Sequence, residues 1–502
     1  MKVLYVCSEL FPLLKTGGLA DVSAALPPAL RQAGCDIRVL LPGFPAILGG
    51  VSKLDLSNQS SVSLPTGYGP VQPTDTPARI VSAELPDSGL QTYILDAPSF
   101  FDRSGNPYVN PQGEPWPDNA QRFALLSWAA ACLGQGLDAQ WQPDILHCHD
   151  WHTGLAPLYL SQHPDGEGAR AASVFTVHNL AYQGIFPAEV FASLGLPDYL
   201  YGIDGVEFYN QVSFMKAGLQ FADRITTVSP SYAREILTIE QGFGLDGVLR
   251  ARASVVSGIL NGVDYRVWSP ALDPVLEQTF DWPSVERKRY AKAQLQALMG
   301  LEPHADALVF GVVSRLTEQK GLHLIAEVLD EIVLRGAQLA LIGSGDEAVE
   351  QLFVEAAKKH PGKVSVKIGY DENTGHSIIA GSDVILVPSR FEPCGLTQLY
   401  ALRYGTLPLV HRVGGLADTV VDASPAHLLD GTACGFVFDD FSVDGLRAAL
   451  LRAFDLKAQP VVWKTVQKNA MQLRFDWRVA AERYVALYKS LKPEGGLLAQ
   501  QN

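Results

Sequence analysis

The sequence predicts an α/β protein built from two doubly wound domains. Three observations carry that prediction. The chain has 502 residues, beyond what a single hydrophobic core usually serves. Short apolar strands alternate with helical patterns as far as about residue 255, and the alternation restarts at Leu308. The string Gly-Gly-Leu-Ala-Asp occurs at residues 17–21 and again at 414–418, each time after a strand and at the opening of a helix.

Composition narrows the class. Hydrophobic residues make up 47% and charged residues 18%, as in a globular protein with a large core. A net charge of -14 argues against a nucleic-acid or anionic-membrane partner. The six cysteines form no CxxC pair, which predicts free thiols in a reducing compartment. No apolar run reaches membrane-spanning length, and Met1 to Cys7 reads as a first strand rather than a signal peptide. The expected location is cytoplasmic.

In order, Lys2–Cys7 reads as a strand, Ser8–Gly18 as a glycine loop, Leu19–Ala33 as a helix and Asp36–Leu41 as the next strand. Residues 43–117 are rich in Pro, Gly, Ser and Thr and read as a loop-rich insertion with short strands such as Gln91–Asp96. A helix over Asp118–Gly134 leads to the strand Asp144–Cys148, then Ser173–Val177 and Arg224–Val228. In the second half the strands are Leu308–Ser314, Gln338–Ile342, Lys363–Ile368, Asp383–Val387 and Thr406–Val410. Helices over Ser442–Phe454, Val461–Leu473 and Trp477–Leu491 close the pattern. The expected division is 1–255, 256–475, a helix at 476–492 packing back on the first domain, and a mobile tail at 493–502.

The stretch Pro388–Tyr400 joins a buried strand to a helix stopped by Gly405. Open α/β sheets bind ligands at such carboxyl ends. Glu392 there is either a helix cap or a functional carboxylate, and the unpaired amides of the helix start can face an anion. Arg315 leaves a strand end, and Lys320 opens the following helix, where the dipole disfavours a cation. Two such cations suit a diphosphate, although they also read as ordinary surface charges. Lys15 with the amides of Gly17 and Gly18 forms a possible anion grip. His147, His149 and His152 around Asp150 resemble a metal set, but they begin on a buried strand and His178 stands alone, so no metal is expected. Asp150 and His152 are placed to hydrogen-bond a polar substrate. There is no Asp-x-Asp, no Walker loop and no Gly-x-Ser-x-Gly elbow. Tyr370 could stack on a base, and Tyr108 and Trp151 could face sugar rings.

Together Lys15–Asp21, His149–His152, Thr176–Leu180, Leu260–Asp264, Ser314–Thr317 with Lys320-Gly321, Pro388–Leu396 and Gly414–Asp418 resemble the bacterial glycogen and plant starch synthases, glycosyltransferase family five. The resemblance covers nearly the whole chain. It implies a GT-B architecture, two Rossmann-like domains facing a deep interdomain cleft, with an acceptor-side first domain and a donor-side second domain. It also implies metal-independent, cofactor-free transfer of glucose from ADP-glucose to the non-reducing end of an α-1,4-glucan such as glycogen, with retention. Carried over by position, Arg315 and Lys320 neutralise the departing diphosphate. Lys15, Gly17 and Gly18 contact the donor. Glu392 holds the glucose hydroxyls beside the amides of Cys394, Gly395 and Leu396, Thr397 reaches the phosphate, and Tyr370 stacks on adenine. His178 lies by the anomeric carbon. Asp21, Asn179 and Asn261, with Asp150, line the cleft, and Tyr108, Asp150 and His152 serve the acceptor side. The wider GT-B retaining pattern implied by the resemblance has two glutamates separated by seven residues; the first corresponds to Glu392, and this chain has Tyr400 at the second. Rival readings are the same fold using UDP-glucose or another acceptor, a histidine-cluster metallohydrolase, and a non-catalytic glucan-binding scaffold. Alanine at Arg315 or Lys320 is expected to cut turnover with folding intact.

Overall fold

The computed structural model describes residues 1–62, 78–162 and 170–492, without side chains at 56–59. The chain divides into two compact units. Unit 1 comprises Met1–Gly262 together with the segment from Trp477, and unit 2 is Val263–Asp476. The tail expected at 493–502 lies outside the described residues.

Unit 1 is organised on a nine-stranded sheet. Its strands are β1 (Lys2–Val6), β2 (Asp36–Pro42), β3 (Ser52–Val62), β4 (Ala78–Glu84), β5 (Gln91–Asp96), β6 (Ile145–His149) and β7 (Ala172–Val177). After a small sheet of β8 (Ile185–Pro187), β9 (Glu207–Phe208) and β10 (Gln211–Ser213) come β11 (Arg224–Thr227) and β12 (Val256–Gly258). The order is β12-β11-β7-β6-β1-β2-β5-β4-β3. The strands from β12 to β5 run parallel, and β4 and β3 add antiparallel. Segment 43–117 is therefore not simply a loop-rich insertion. Three of its pieces extend the main sheet, where apolar residues such as Ile80, Val81, Ile94 and Leu95 are buried in the unit's core. Its Pro, Gly and Ser content had masked that pattern.

Unit 2 holds six parallel strands: β13 (Val309–Val313), β14 (Gln338–Gly343), β15 (Val364–Ile368), β16 (Val384–Val387), β17 (Leu407–His411) and β18 (Phe436–Phe438). Their order is β15-β14-β13-β16-β17-β18. The central strands are buried along their length, which explains their continuous apolar runs.

Both sheets reverse direction of winding once. In unit 1 the chain moves outward from β1 through β2 and returns to place β6 on β1's other side. In unit 2 it moves from β13 to β15 and returns with β16 beside β13. At such a switch the loops beyond the two strands' carboxyl ends part, leaving a crevice for ligands. The loops at these points are 7–17 and 150–154 in unit 1, and 314–321 and 388–396 in unit 2. Lys15, Asp150, His152, Arg315, Lys320 and Glu392 lie on them.

The helix Trp477–Leu491 packs on the helix Gly18–Gln32 of unit 1. Its Tyr488 hydroxyl lies 2.7 Å from His147 Nδ1, and His147 Nε2 lies 2.7 Å from Thr176 Oγ1. All three residues are buried. Tyr488→Phe strips the partner from a buried ring nitrogen, so it costs about 1–3 kcal/mol of folding free energy. A urea midpoint within error of wild type would refute this. Among the described residues no helix is long and apolar enough to cross a membrane.

Candidate active site

In unit 2 the loop after β16 is clamped on two sides. The turn Glu318–Lys320 packs against one: Arg390 N–H donates to Gln319 O (2.9 Å), and Gln319 Nε2 donates to Phe391 O (3.2 Å). Gly321 follows with φ +65°, so near Pro388 that an added Cβ would sit 2.0 Å from its carbonyl oxygen. Lys320 thus ends a 3-10 turn, and the helix proper begins at Leu322. The left-handed Gly321 separates the two, so the expected cation on the helix's first turn does not occur. The second clamp is the recurring glycine pair. Gly415 N–H donates to Glu392 O (3.1 Å), and a Cβ on Gly414 (φ +45°) would lie 2.0 Å from that same oxygen. Gly414→Ala adds backbone strain to this overlap and must displace the Glu392 loop. Turnover is expected to fall about a hundredfold, the scale of a 1 Å misplacement. Unchanged turnover in a folded Gly414→Ala protein would count against the clamp.

The clamped loop points Glu392 at Lys320. Its Oε2 accepts from Lys320 Nζ at 2.6 Å and from Ser389 Oγ at 2.8 Å. The pair is nearly buried, with side chains 16% and 10% exposed. The helix Thr397–Arg403 carries no side-chain cap, which rules out Glu392 as its cap. Gly395 adopts φ +70°, and Thr397 Oγ1 donates to Val313 O at 3.4 Å, tying this helix start to the end of β13. Cys394 is buried and Leu396 half-buried. Arg315, just beyond the end of β13, is exposed. Tyr370 is exposed beyond β15, its hydroxyl donating to the Glu372 carboxylate. Tyr400 lies flat on Trp268, ring centroids 3.9 Å apart at 3°, and His376 stacks on the indole's other contact at 3.8 Å. An aromatic layer thus stands where wider relatives place a second carboxylate.

In unit 1 a residue that sequence reasoning missed organises the first loop. Glu9, buried just beyond β1, accepts from Thr16 N–H (2.6 Å), Gly17 N–H (3.3 Å) and the Tyr108 hydroxyl (2.8 Å). The Gly17 amide expected to grip a ligand anion therefore serves the chain's own carboxylate. Lys15 Nζ pairs with Asp21 at 2.9 Å, on the first turn of the helix that Gly18 opens. The signal for Glu9 was its position, a carboxylate at the carboxyl end of a central strand. Tyr108 stacks on His152, ring centroids 4.6 Å apart, so these two expected acceptor-side residues come together through Glu9's loop.

Asp150 sits at the end of β6 with φ +57° and ψ -179°. That backbone region is open almost exclusively to glycine and costs on the order of 1–3 kcal/mol for other residues. The strain aims its carboxylate at the β7 loop, where Oδ1 accepts the His178 N–H at 2.7 Å. Burial pushes the Asp150 carboxyl up to about 7. Asn179 is half-buried, its Oδ1 accepting the Ala181 amide at 3.0 Å. Asn261 is buried just before the chain passes into unit 2.

His178 does not stand alone. Its Nε2 lies 2.9 Å from Nδ1 of His149, which stacks on His147 at 4.1 Å. His147 and His149 are two apart on β6, so they share one face of the strand. Burial lowers His147, His152 and His178 to about 3 and His149 well below its ordinary value, leaving all four neutral near pH 7. Among the described residues no group of three or more His, Cys, Asp and Glu is arranged to hold a metal ion.

Comparison with known proteins assigns the family. Residues 2–251 match the family described as starch synthase catalytic domain, and residues 301–469 match glycosyl transferases group 1. The chain is 58% identical over 493 residues to a glycogen synthase of Albidiferax ferrireducens, covering 98% of this chain and 99% of the relative. It is 54% identical over 496 residues to a glycogen synthase of Francisella tularensis subsp. novicida, covering 98% and 100%. Among solved structures, the catalytic domain of Starch Synthase IV from Arabidopsis thaliana bound to ADP and acarbose superposes with a TM-score of 0.87 at 32% identity, covering 97% of this chain and 99% of that one. A sucrose-phosphate synthase from Thermosynechococcus elongatus shares the fold, with a TM-score of 0.56 at 16% identity over 98% of each chain. The chain therefore belongs to the glycogen and starch synthase family of GT-B glycosyltransferases.

Proposed function

We propose that this chain transfers glucose from ADP-glucose to the non-reducing end of an α-1,4-glucan, retaining configuration and releasing ADP. In that reaction the bond from the glucose anomeric carbon to the β-phosphate oxygen breaks, and a bond to the acceptor's 4-oxygen forms. The acceptor hydroxyl's proton leaves with the diphosphate. Negative charge grows on the phosphate and positive charge on the ring, so preorganised groups at both ends lower the barrier.

The observation that carries the reading is the Lys320–Glu392 pair held at unit 2's switch point, in a chain alike over its whole length to named glycogen synthases. Lys320 and Arg315 serve the leaving diphosphate, with the amides of Cys394, Gly395 and Leu396 and the Thr397 hydroxyl beside it. Glu392 grips the sugar hydroxyls. Its Oε2 already accepts from Lys320 and Ser389, which holds the carboxylate in place as a hydrogen-bonding group for those hydroxyls. Tyr370 offers an exposed ring to the adenine. In unit 1, Lys15, Asp21 and Gly18 contact the donor, and Asn179 and Asn261 line its site. Asp150 fixes the His178 backbone, whose carbonyl stabilises positive charge at the anomeric carbon. Tyr108 and His152 meet the acceptor. The proposed partners are ADP-glucose and glycogen, and the proposed location is the cytoplasm.

The test is incorporation of labelled glucose into glycogen from ADP-glucose and from UDP-glucose, with chelator present. Preferential incorporation from ADP-glucose is expected. Incorporation from UDP-glucose alone would replace the donor assignment, and loss of incorporation in chelator would reopen metal-assisted chemistry.

A further inference from the structure

We infer that His149 is a positioning residue that fixes the tautomer of His178, leaving the His178 proton on Nδ1 for a hydroxyl of the bound sugar. The inference deepens the reading above and rests on its placement of His178 beside the transferred glucose.

His149 Nδ1 and His178 Nε2 are 2.9 Å apart, a hydrogen-bond distance that admits one proton between them. A buried imidazolium is disfavoured by the lost hydration, so both rings are neutral and each carries a single proton. Two arrangements remain. In the first, His149 Nδ1–H donates to His178 Nε2. His149 Nε2 is then a bare lone pair, and His178 keeps its proton on Nδ1. In the second, His178 Nε2–H donates, and His149 must carry its own proton on Nε2.

The surroundings of His149 decide between them. The ring is fully buried, and among the described residues its Nε2 has no hydrogen-bond partner. Its faces are covered by Tyr5, with centroids 4.0 Å apart, and by His147 at 4.1 Å. The second arrangement would bury an N–H with no acceptor, which folded proteins almost never do. The first leaves only an acceptor unfilled, which is tolerated more often. His147 cannot relieve the shortage, because its two nitrogens are engaged by Thr176 and Tyr488. The first arrangement therefore holds. The half-buried His178 turns Nε2 inward onto His149, so Nδ1–H is its donor for substrate.

The test uses the full chain with nitrogen-15 histidine, His149→Asn and His149→Phe, and the His178→Gln protein to identify the His178 resonances. Asparagine carries an amide N–H close to where Nδ1–H was and leaves a gap; phenylalanine fills the space and carries no donor. Wild type and His149→Asn are expected to show His178 protonated on Nδ1, and His149→Phe to lose that signature. The kcat for glucosyl transfer should fall about tenfold in His149→Phe, the scale of one lost hydrogen bond, with donor KM little changed. His149→Asn should keep most of kcat. A purely space-filling role predicts the reverse order of the two variants. Nε2-protonated His178 in wild type, or a His149→Phe protein as active as His149→Asn, would overturn the inference. The tautomer is read without turnover, so a chain that transfers no glucose defeats the proposed function and leaves this measurement standing. Wild-type turnover in His178→Gln defeats the placement of His178 alone.

Discussion

Lys320→Ala is expected to lower glucosyl turnover about a hundredfold to a thousandfold, the usual loss when one preorganised charge-stabilising group is removed. Arg315→Ala should lose turnover on the same scale, and near-normal turnover in both would sink the leaving-group assignment. The two variants differ in a second respect. Arg315 is exposed, so its removal leaves folding unchanged. Lys320 is bound to a carboxylate that is 90% covered, and alanine there strands a buried charge. The sequence-based expectation that Lys320→Ala leaves folding intact is therefore corrected. Breaking a fully buried pair costs about 3–5 kcal/mol, and the residual exposure of this one places it toward the lower end. The double variant Lys320→Ala with Glu392→Gln removes the stranded charge. It should regain much of the lost stability and none of the turnover. Denaturant titration beside kcat separates the two effects, and a double variant no more stable than Lys320→Ala would mean the pair is not the cause.

The second large effect is on stability in acid. His147, His149 and His152 are buried and neutral, with His147 and His152 pushed down to about 3 and His149 held well below its ordinary value. In the unfolded chain each titrates near 6.5. Between those values the unfolded state binds protons that the folded state does not, so stability is full above about pH 6.5 and falls as pH falls. Each group contributes a slope of about 1.4 kcal/mol per pH unit. Asp150 acts in the opposite direction. Its folded value of about 7 lies above the unfolded carboxylate value near 3.9, so its folded form holds the extra proton over that range. The histidines outnumber Asp150, and His178, also pushed down to about 3, acts with them, so the net effect is a loss of stability as pH falls from about 6 to 4. Over two pH units that loss reaches several kcal/mol, a large part of ordinary domain stability. Chemical denaturation of wild type and His147→Gln across that range isolates one histidine, because other groups cancel in the difference. The slope should drop by about one proton, and equal slopes would show that His147 is not held neutral.

The sequence alone determined the two doubly wound halves. Parallel strands buried on both faces must be continuous apolar runs, as in Leu339–Ile342, and those runs are visible without coordinates. It also determined which loops carry chemistry, because a strand's carboxyl end is where Glu392, Lys320 and Asp150 must stand in this topology. The repeated Gly-Gly-Leu-Ala-Asp was legible as a string, but its two copies do different things. At 414–415 the missing side chains admit the backbone of the Glu392 loop, whereas nothing lies within 4 Å of where a Cβ on Gly17 would be. Only the tertiary structure could separate them, since close approach depends on what folds back from elsewhere in the chain. The same holds for the pairings. Lys320 and Glu392 are 72 residues apart, His149 and His178 are 29, and His147 and Tyr488 are 341. No local pattern encodes which buried donor meets which acceptor. Those partners are set by strand order, which brings β6 between β1 and β7 and sets the final helix against unit 1's core.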